Sequence, residues 1–212
     1  MPTLSDFRLG ADVVAGDGRK AGTLASVLVE KQGFEPRAIV VKDDVSLVGR
    51  LMGDEKLLIT DEVVIPIAAV ESATRDLVRL SMSASDVRRQ PPYLSYRLEP
   101  QTPEDAVLEE ASFLGGGLGL PKADEIANKA QDQIEIDKDE NVMLGKSGHR
   151  LGRVKELLID RGELIAVVVR PDGFFKKDVV LPIRFVSRAD DLALFADLDE
   201  SDLEKLQPFD AG

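Results

Sequence analysis

The feature that most constrains this chain is a short pattern that occurs twice along it. Residues 14–22 and 144–152 each contain two glycines four positions apart, followed by an apolar run. Later in each copy, residues 63–67 read Val-Val-Ile-Pro-Ile and residues 179–183 read Val-Val-Leu-Pro-Ile. Self-similarity of this kind means that one supersecondary unit is built twice. The chain is therefore predicted to contain two copies of one module.

Each copy has the pattern of a small β structure. Short runs rich in Val, Ile and Leu, such as residues 38–42 and 166–170, alternate with glycine-containing and charged turns, which is typical of a small antiparallel sheet or barrel. Pro66 and Pro182 lie within apolar runs but cannot donate to a strand ladder. We expect both prolines at a sheet edge, a bulge or a barrel corner.

A short helix is predicted to close each copy. Both copies end with a Ser-Asp pair, at residues 85–86 and 201–202. In the second copy Ser201 and Glu204 have the spacing of a capping box, with Leu203 and Leu206 free to pack on the barrel. The first copy keeps the serine but has Arg88 at the glutamate position.

Charge divides the chain into three parts. Its 27 Lys and Arg against 39 Asp and Glu give a net charge of −12, and residues 98–140 hold 3 of the former against 12 of the latter. We therefore predict a first module over 1–97, an acidic linker over 98–137 and a second module over 138–212. Within the linker, one helix is predicted from Thr102 to Gly115 and another after Pro121, with Ile126, Ala127 and Ala130 on one side. A mobile tether, a docked helix and a membrane or partner contact all remain open for this segment.

The order of these motifs resembles that of the PRC-barrel family. The resemblance rests on the glycine-containing turn, two β runs and the Val-Val-Ile/Leu-Pro-Ile motif, over about residues 6–93 and 138–209. The family includes the cytoplasmic domain of the photosynthetic reaction centre H subunit and the C-terminal domain of the ribosome maturation factor RimM. It implies two small barrels that act in assembly or interaction rather than catalysis.

We find no residue pattern that predicts a catalytic, cofactor or metal site. Gly145-Lys146-Ser147 lacks the earlier glycine of a phosphate-binding loop, since Glu140 stands there. The acidic run from Asp137 begins like a calcium loop, but Val142 replaces its essential glycine. His149 is the chain's single histidine and there is no cysteine. We therefore expect a protein that is not an enzyme and needs neither cofactor nor metal.

A candidate contact surface lies at the turn before the second Val-Val-Leu-Pro-Ile motif. This segment places Phe174 and Phe175 beside Lys176 and Lys177. If exposed on a hairpin tip, the rings would anchor a partner and the lysines would steer it. The alternative is that both phenylalanines fold over the end of the barrel.

The sequence thus predicts a non-enzymatic interaction or scaffolding module that binds a protein partner. Two arrangements stay open: copies of the chain form a homo-oligomer, or the two barrels of one chain pair with each other. A ribosome- or RNA-linked role is the weaker alternative. It rests on the analogy with RimM and on Arg88 and Arg89, which add to the cations Lys176 and Lys177. Acidic proteins rarely bind nucleic acid. Ligand binding between the barrels is a third possibility. Without a signal peptide or a long apolar run, we expect a cytoplasmic chain with no transmembrane segment. Peripheral membrane contact is the least favoured of the contacts left open for the linker, because the linker is acidic.

Overall fold

A computed structural model of the chain describes residues 5–43, 62–98, 123–145, 147–160, 162–172, 177–190, 192–199, 202 and 206–209. These residues are mainly β, and they form two large sheets and one small ribbon. The strands before residue 99 are β1 (Ser5–Arg8), β2 (Asp12–Val14), β3 (Lys20–Glu30), β4 (Pro36–Lys42), β5 (Glu62–Pro66), β6 (Val70–Ala73), β7 (Leu77–Leu80) and β8 (Leu94–Leu98). Those after residue 122 are β9 (Ala123–Ala127), β10 (Gln133–Asp137), β11 (Asn141–Leu144), β12 (Arg150–Asp160), β13 (Glu163–Pro171), β14 (Val179–Pro182), β15 (Val186–Ala189), β16 (Ala193–Ala196) and β17 (Gln207–Pro208).

The two large sheets have the same internal order, as the repeat predicts. The first runs β5-β4-β3-β2-β7-β6, and the second runs β14-β13-β12-β11-β16-β15 with β17 added beside β14. Both sheets are mixed, because β2 pairs with β7 in parallel and β11 pairs with β16 in parallel. The prediction of purely antiparallel barrels was therefore wrong. In the described residues the hydrogen-bonded path of each sheet also stays open, so the predicted closed barrels are not formed.

Among the described residues, no helix closes a barrel as predicted. The described residues of the first half contain one α-helical turn, α1 (Ala84–Val87), whose N-cap is Ser83 rather than Ser85. The hydroxyl of Ser83 accepts a hydrogen bond from the backbone N–H of Asp86 at 3.3 Å. In the second half, Asp199 occupies the equivalent place and accepts from the N–H of Asp202 at 3.2 Å. Ser201, Leu203 and Glu204 lie outside the described residues. In the described part of the chain, no helix is long and apolar enough to cross a membrane.

Both prolines of the repeated motif end a strand at a corner. Pro66 is the last residue of β5, and Pro182 is the last residue of β14. Each precedes one 3₁₀ turn, at Ile67–Ala69 and Ile183–Phe185, after which the chain enters the next strand. The missing N–H of proline leaves the ladder without a donor, so the strand ends there.

The repeated glycines are required where two strands approach closely. A Cβ on Gly22 would lie 2.1 Å from the carbonyl oxygen of Lys42, and a Cβ on Gly152 would lie 2.0 Å from that of Arg170. No side chain fits at such distances. The second glycine of each copy is thus fixed by contact with the neighbouring strand.

The two halves exchange a strand with each other. Strand β1 pairs with β12 of the second sheet, and β10 pairs with β3 of the first. The registers are equivalent, since Arg8 lies opposite Glu156 and Asp137 lies opposite Ser26. Each exchanged strand continues after a short turn into a strand of the other sheet, so the chain crosses between the sheets twice.

One apolar core serves both halves. Residues of β3 and β4, including Val27 and Ile39, belong to the same buried cluster as residues of β12 and β13, including Leu157 and Val167. The exchanged strand β10 adds Ile134 to this cluster, and Ile134 is fully buried. Successive strand residues point to opposite faces, so the neighbours of these core residues form the outer faces of the sheets.

The outer face of the first sheet is covered by the ribbon of β8 and β9. Leu28, Val40 and Tyr93 form a second buried cluster there, with Leu94 and Ala127 packed against it. The segment after Pro121, which we predicted as a helix, is therefore strand β9 in its described part. The helix predicted from Thr102 to Gly115 lies outside the described residues.

Candidate functional site

The chain crosses between the two sheets at residues 9–11, between β1 and β2, and at residues 138–140, between β10 and β11. These two crossings have the same backbone geometry. Gly10 in the first crossing and Asp139 in the second have positive φ, at 90° and 73°. The N–H of Gly10 donates to the carbonyl of Leu24 at 2.7 Å, and that of Asp139 donates to the carbonyl of Val154 at 2.9 Å. Glycine and aspartate are among the residues that tolerate this left-handed conformation. The two crossings are thus equivalent turns with different side chains.

The residue after each positive-φ position differs sharply in chemistry. In the first crossing it is Ala11, and in the second it is Glu140, and the backbone carbonyl of each accepts a 2.9 Å bond from Leu24 or Val154. Both residues are buried, with exposed fractions of 4% and 8%. The second crossing therefore encloses a carboxyl group where the first encloses a methyl group.

The carboxyl group of Glu140 is only half satisfied. Its Oε2 accepts a hydrogen bond from the backbone N–H of Asp137 at 3.3 Å, whereas its Oε1 is buried without a hydrogen-bond partner among the described residues. Burial raises the pKa of Glu140 to about 8, and the nearby carboxylate of Asp137 adds to the effect. A buried carboxyl group without compensation favours its neutral form. Glu140 therefore holds a proton at neutral pH.

Asp137 lies at the same crossing but is more exposed. Partial burial and the carboxylates of Glu135 and Asp139 raise its pKa to about 6. Glu135 accepts a hydrogen bond from the hydroxyl of Tyr93, which covers the outer face of the first sheet. The second crossing is thus bordered by carboxyl groups of β10 and of its turn.

A second buried carboxylate lies on β12 and is compensated. Glu156 has an exposed fraction of 1%, and Arg75 of the first half donates to its Oε1 at 3.1 Å. The guanidinium carbon of Arg75 also lies 5.4 Å from the centre of the Phe209 ring. Arg75 therefore links a turn of the first half to β12 and to the C-terminal segment of the second half.

The predicted contact surface is only partly described. Lys177 is exposed, whereas Phe174, Phe175 and Lys176 lie outside the described residues. Next to Lys177, Asp178 forms ion pairs with Lys155 and, at 3.4 Å, with Arg170. On the other side of the hairpin, Asp172 pairs with Arg150 at 2.7 Å. The two strands that lead to the tip are thus held by ion pairs.

The remaining residues considered in the sequence, Arg88, Arg89 and His149, lie outside the two crossings. Arg89 pairs with Asp86, and the Nε of Arg88 is 3.5 Å from the carbonyl oxygen of Ala84. His149 is exposed in the turn before β12. In the part of the chain that the structure describes, no group of three or more His, Cys, Asp or Glu is arranged to hold a metal ion.

A cavity of about 490 Å³ lies within the second half. It is bordered by the 3₁₀ turn with Arg184 and Phe185, by Leu198 and by Gln207. The guanidinium carbon of Arg184 lies 4.9 Å from the centre of the Phe185 ring. The volume falls in the range of ligand pockets, and the residues that border the cavity all belong to the second half.

Neither buried carboxylate is predicted from the sequence. Glu140 was noted only as an obstacle to a phosphate-binding loop, and Glu156 was not singled out. The repeat contains a signal for Glu156, because the equivalent residue, Ser26, is also polar and lies between apolar residues. No such signal shows that Glu140 is enclosed, since this depends on the crossing between sheets.

A known protein family matches part of the second half of the chain. The model of the PRC-barrel domain family matches residues 133–201. No curated protein matches the chain. The matched segment begins at Gln133, the first residue of the exchanged strand β10. The second half of the chain therefore contains a PRC-barrel domain, and the first strand of that domain pairs with the sheet of the other half.

Proposed function

We propose that this protein is a non-enzymatic binding module that contacts a protein partner through the hairpin between β13 and β14. The observation that supports the proposal is the exposure of Lys177 beside a hairpin whose two strands are held by ion pairs. Ordering a loop on binding costs conformational entropy, and a fixed base lowers that cost. The tip residues Phe174, Phe175 and Lys176 complete the surface as the sequence predicts it.

The chemistry of the tip indicates the kind of partner. Two lysines and two phenylalanines stand together on a chain whose net charge is −12. Aromatic side chains supply most of the affinity of a contact, while charges steer the approach. The complementary surface is an apolar pocket bordered by carboxylates.

The shared core supports a scaffold role for the whole chain. Because each half supplies a strand to the other, the two sheets cannot separate without breaking both pairings. A partner bound at the hairpin is therefore held at a fixed position relative to the first half. This is the property that an assembly module needs.

The proposal is tested by affinity capture with the tagged protein, its Phe174→Ser/Phe175→Ser variant and a Leu192→Ser control. Leu192 is 78% exposed in the same half, so the control also removes an exposed apolar side chain. We expect the double variant to keep its thermal unfolding temperature but to lose proteins that the wild type and the control both retain. Equal recovery by all three would overturn the hairpin as the contact.

The same eluates distinguish the RNA-linked alternative. Nucleic acid that is retained at low salt and lost at high salt would indicate phosphate contacts. Such a result, combined with unchanged recovery by the double variant, would replace the protein-binding proposal.

A further inference from the structure

The second crossing differs from the first by one buried ionisable group. The backbone hydrogen bonds of the two crossings correspond, with Val154 taking the part of Leu24. Only the second crossing encloses a carboxyl group, that of Glu140, whose Oε1 is buried with no hydrogen-bond partner in the part of the chain that the structure describes. Since an alanine serves the same backbone geometry in the first crossing, the turn itself does not require a glutamate.

The groups around Glu140 oppose its ionisation. Asp137 and Glu135 of β10 and Asp190 of the turn after β15 all raise its pKa. The cations close in sequence or register include Lys138 of the same turn and Arg153, the pairing neighbour of Asn141. Arg150, which donates to the Oδ1 of Asn141 at 3.4 Å, is a third. All three are exposed. A negative charge on Glu140 would therefore be buried among other carboxylates.

We propose that Glu140 is a protonation-controlled latch on the strand exchange: its neutral carboxyl group keeps β10 paired with β3, and rising pH shifts the crossing towards release of β10. In the released state the carboxyl group is in water and ionises at its ordinary pKa. The closed state requires the proton, so the loss of a proton accompanies opening. The latch is independent of what the chain binds.

Opening of the latch has a defined structural consequence. Strand β10 would leave the sheet of the first half while β11 stays in the second, because the turn of Glu140 separates them. Ile134 and Ile136, both fully buried in the shared core, would then be exposed. The first crossing has no ionisable group at the equivalent position, so β1 would stay paired with β12.

Hydrogen exchange of the full-length protein tests the latch. Amide protection is measured between pH 5 and pH 9, corrected for the intrinsic exchange rate, in the wild type, Glu140→Gln and Glu140→Ala. In the wild type we expect the opening of β10 to rise about tenfold per pH unit between pH 6 and pH 8 and to level off above about pH 8. Both variants should show no such rise between pH 6 and pH 8, and β13 should not change in any of the proteins. Below pH 6, Asp137, whose pKa is also raised, adds to the response of all three proteins.

Two further measurements keep the result unambiguous. Glu71→Gln removes an exposed carboxylate of β6 and should keep the wild-type response. The pKa of Glu140 is measured directly by carboxyl NMR in the wild type, so the test does not depend on a variant that folds. Equal pH responses in the wild type and Glu140→Gln, or a Glu140 pKa near 4.5, would overturn the latch.

Discussion

Arg75 and Glu156 form an ion pair between the two halves of the chain, with 3.1 Å between the guanidinium Nη2 and the carboxylate Oε1. The side chain of Glu156 is 2% exposed and that of Arg75 is 27% exposed. Removing one partner of a buried pair leaves an uncompensated charge, which costs far more than the pair itself contributes. This contact is therefore a sensitive point of the assembly between the halves.

Replacement of Arg75 should destabilise the whole protein. We expect Arg75→Met to lower the free energy of unfolding by about 3 kcal/mol, as measured by urea denaturation. Arg8→Ala, which removes an exposed pair with Asp76, is the matched control and should cost less than about 1 kcal/mol. The double variant Arg75→Met/Glu156→Leu should regain most of the loss. If the single and double variants are equally unstable, the buried charge is not the cause.

The two close-contact glycines should be far less tolerant than a turn glycine. Gly152→Ala places a methyl group 2.0 Å from the carbonyl oxygen of Arg170, so β12 and β13 must move apart. We expect a loss of more than about 3 kcal/mol in unfolding free energy. Gly33→Ala, with positive φ but open space around it, should cost only about 1 kcal/mol. Similar losses for the two variants would show that strand contact does not fix Gly152.

Separated halves should fold only together. A fragment of residues 123–212 contains β10 without β3 and β12 without β1, and a fragment of residues 1–122 has the reverse deficit. Each alone would expose residues of the shared core, such as Ile134 or Leu157. We expect dispersed NMR spectra only after the two fragments are mixed in equal amounts. A folded, monomeric fragment 123–212 would contradict the need for exchange.

Global stability should decrease with pH across the neutral range. The pKa of Glu140 is raised from 4.5 to about 8 in the folded protein, so the folded state binds the extra proton between these values. The favourable contribution is complete below about pH 4.5 and is lost as the pH rises to about 8. Urea denaturation between pH 6 and pH 8, above the raised pKa of Asp137, should show a decline of up to about 1.4 kcal/mol per pH unit. Glu140→Gln should be nearly insensitive to pH over this interval, and a slope equal to that of the wild type would refute the assignment.

Much of the fold follows from the repeat in the sequence. The two sheets share one strand order because residues 14–22 and 144–152 begin the same module. Gly18 and Gly148 have the positive φ expected of turn glycines. The prolines of the repeated motif end strands at corners. These features depend on residues close together in the chain, where local sterics decide the backbone.

The predictions from sequence that were wrong concern pairing between strands that lie far apart in the chain. Strand β9 was predicted as a helix because Ile126, Ala127 and Ala130 have helical spacing, whereas its structure depends on pairing with β8 about thirty residues earlier. Strands β2 and β7 pair in parallel, but neither short strand has a sequence pattern that distinguishes parallel from antiparallel pairing. The placement of Phe174, Phe175 and Lys176 stays a prediction, and so does the division of the chain at residues 97 and 137.

The amino-acid sequence by itself determined that one β module is built twice and where its turns and strand ends fall, because glycine, proline and apolar alternation act through local backbone geometry. Only the tertiary structure decided that the modules exchange β1 and β10, share one core and bury Glu140 and Glu156. Burial and strand pairing depend on which distant segments meet, and a carboxylate in a short polar run reads the same in sequence whether it faces water or the contact between two sheets.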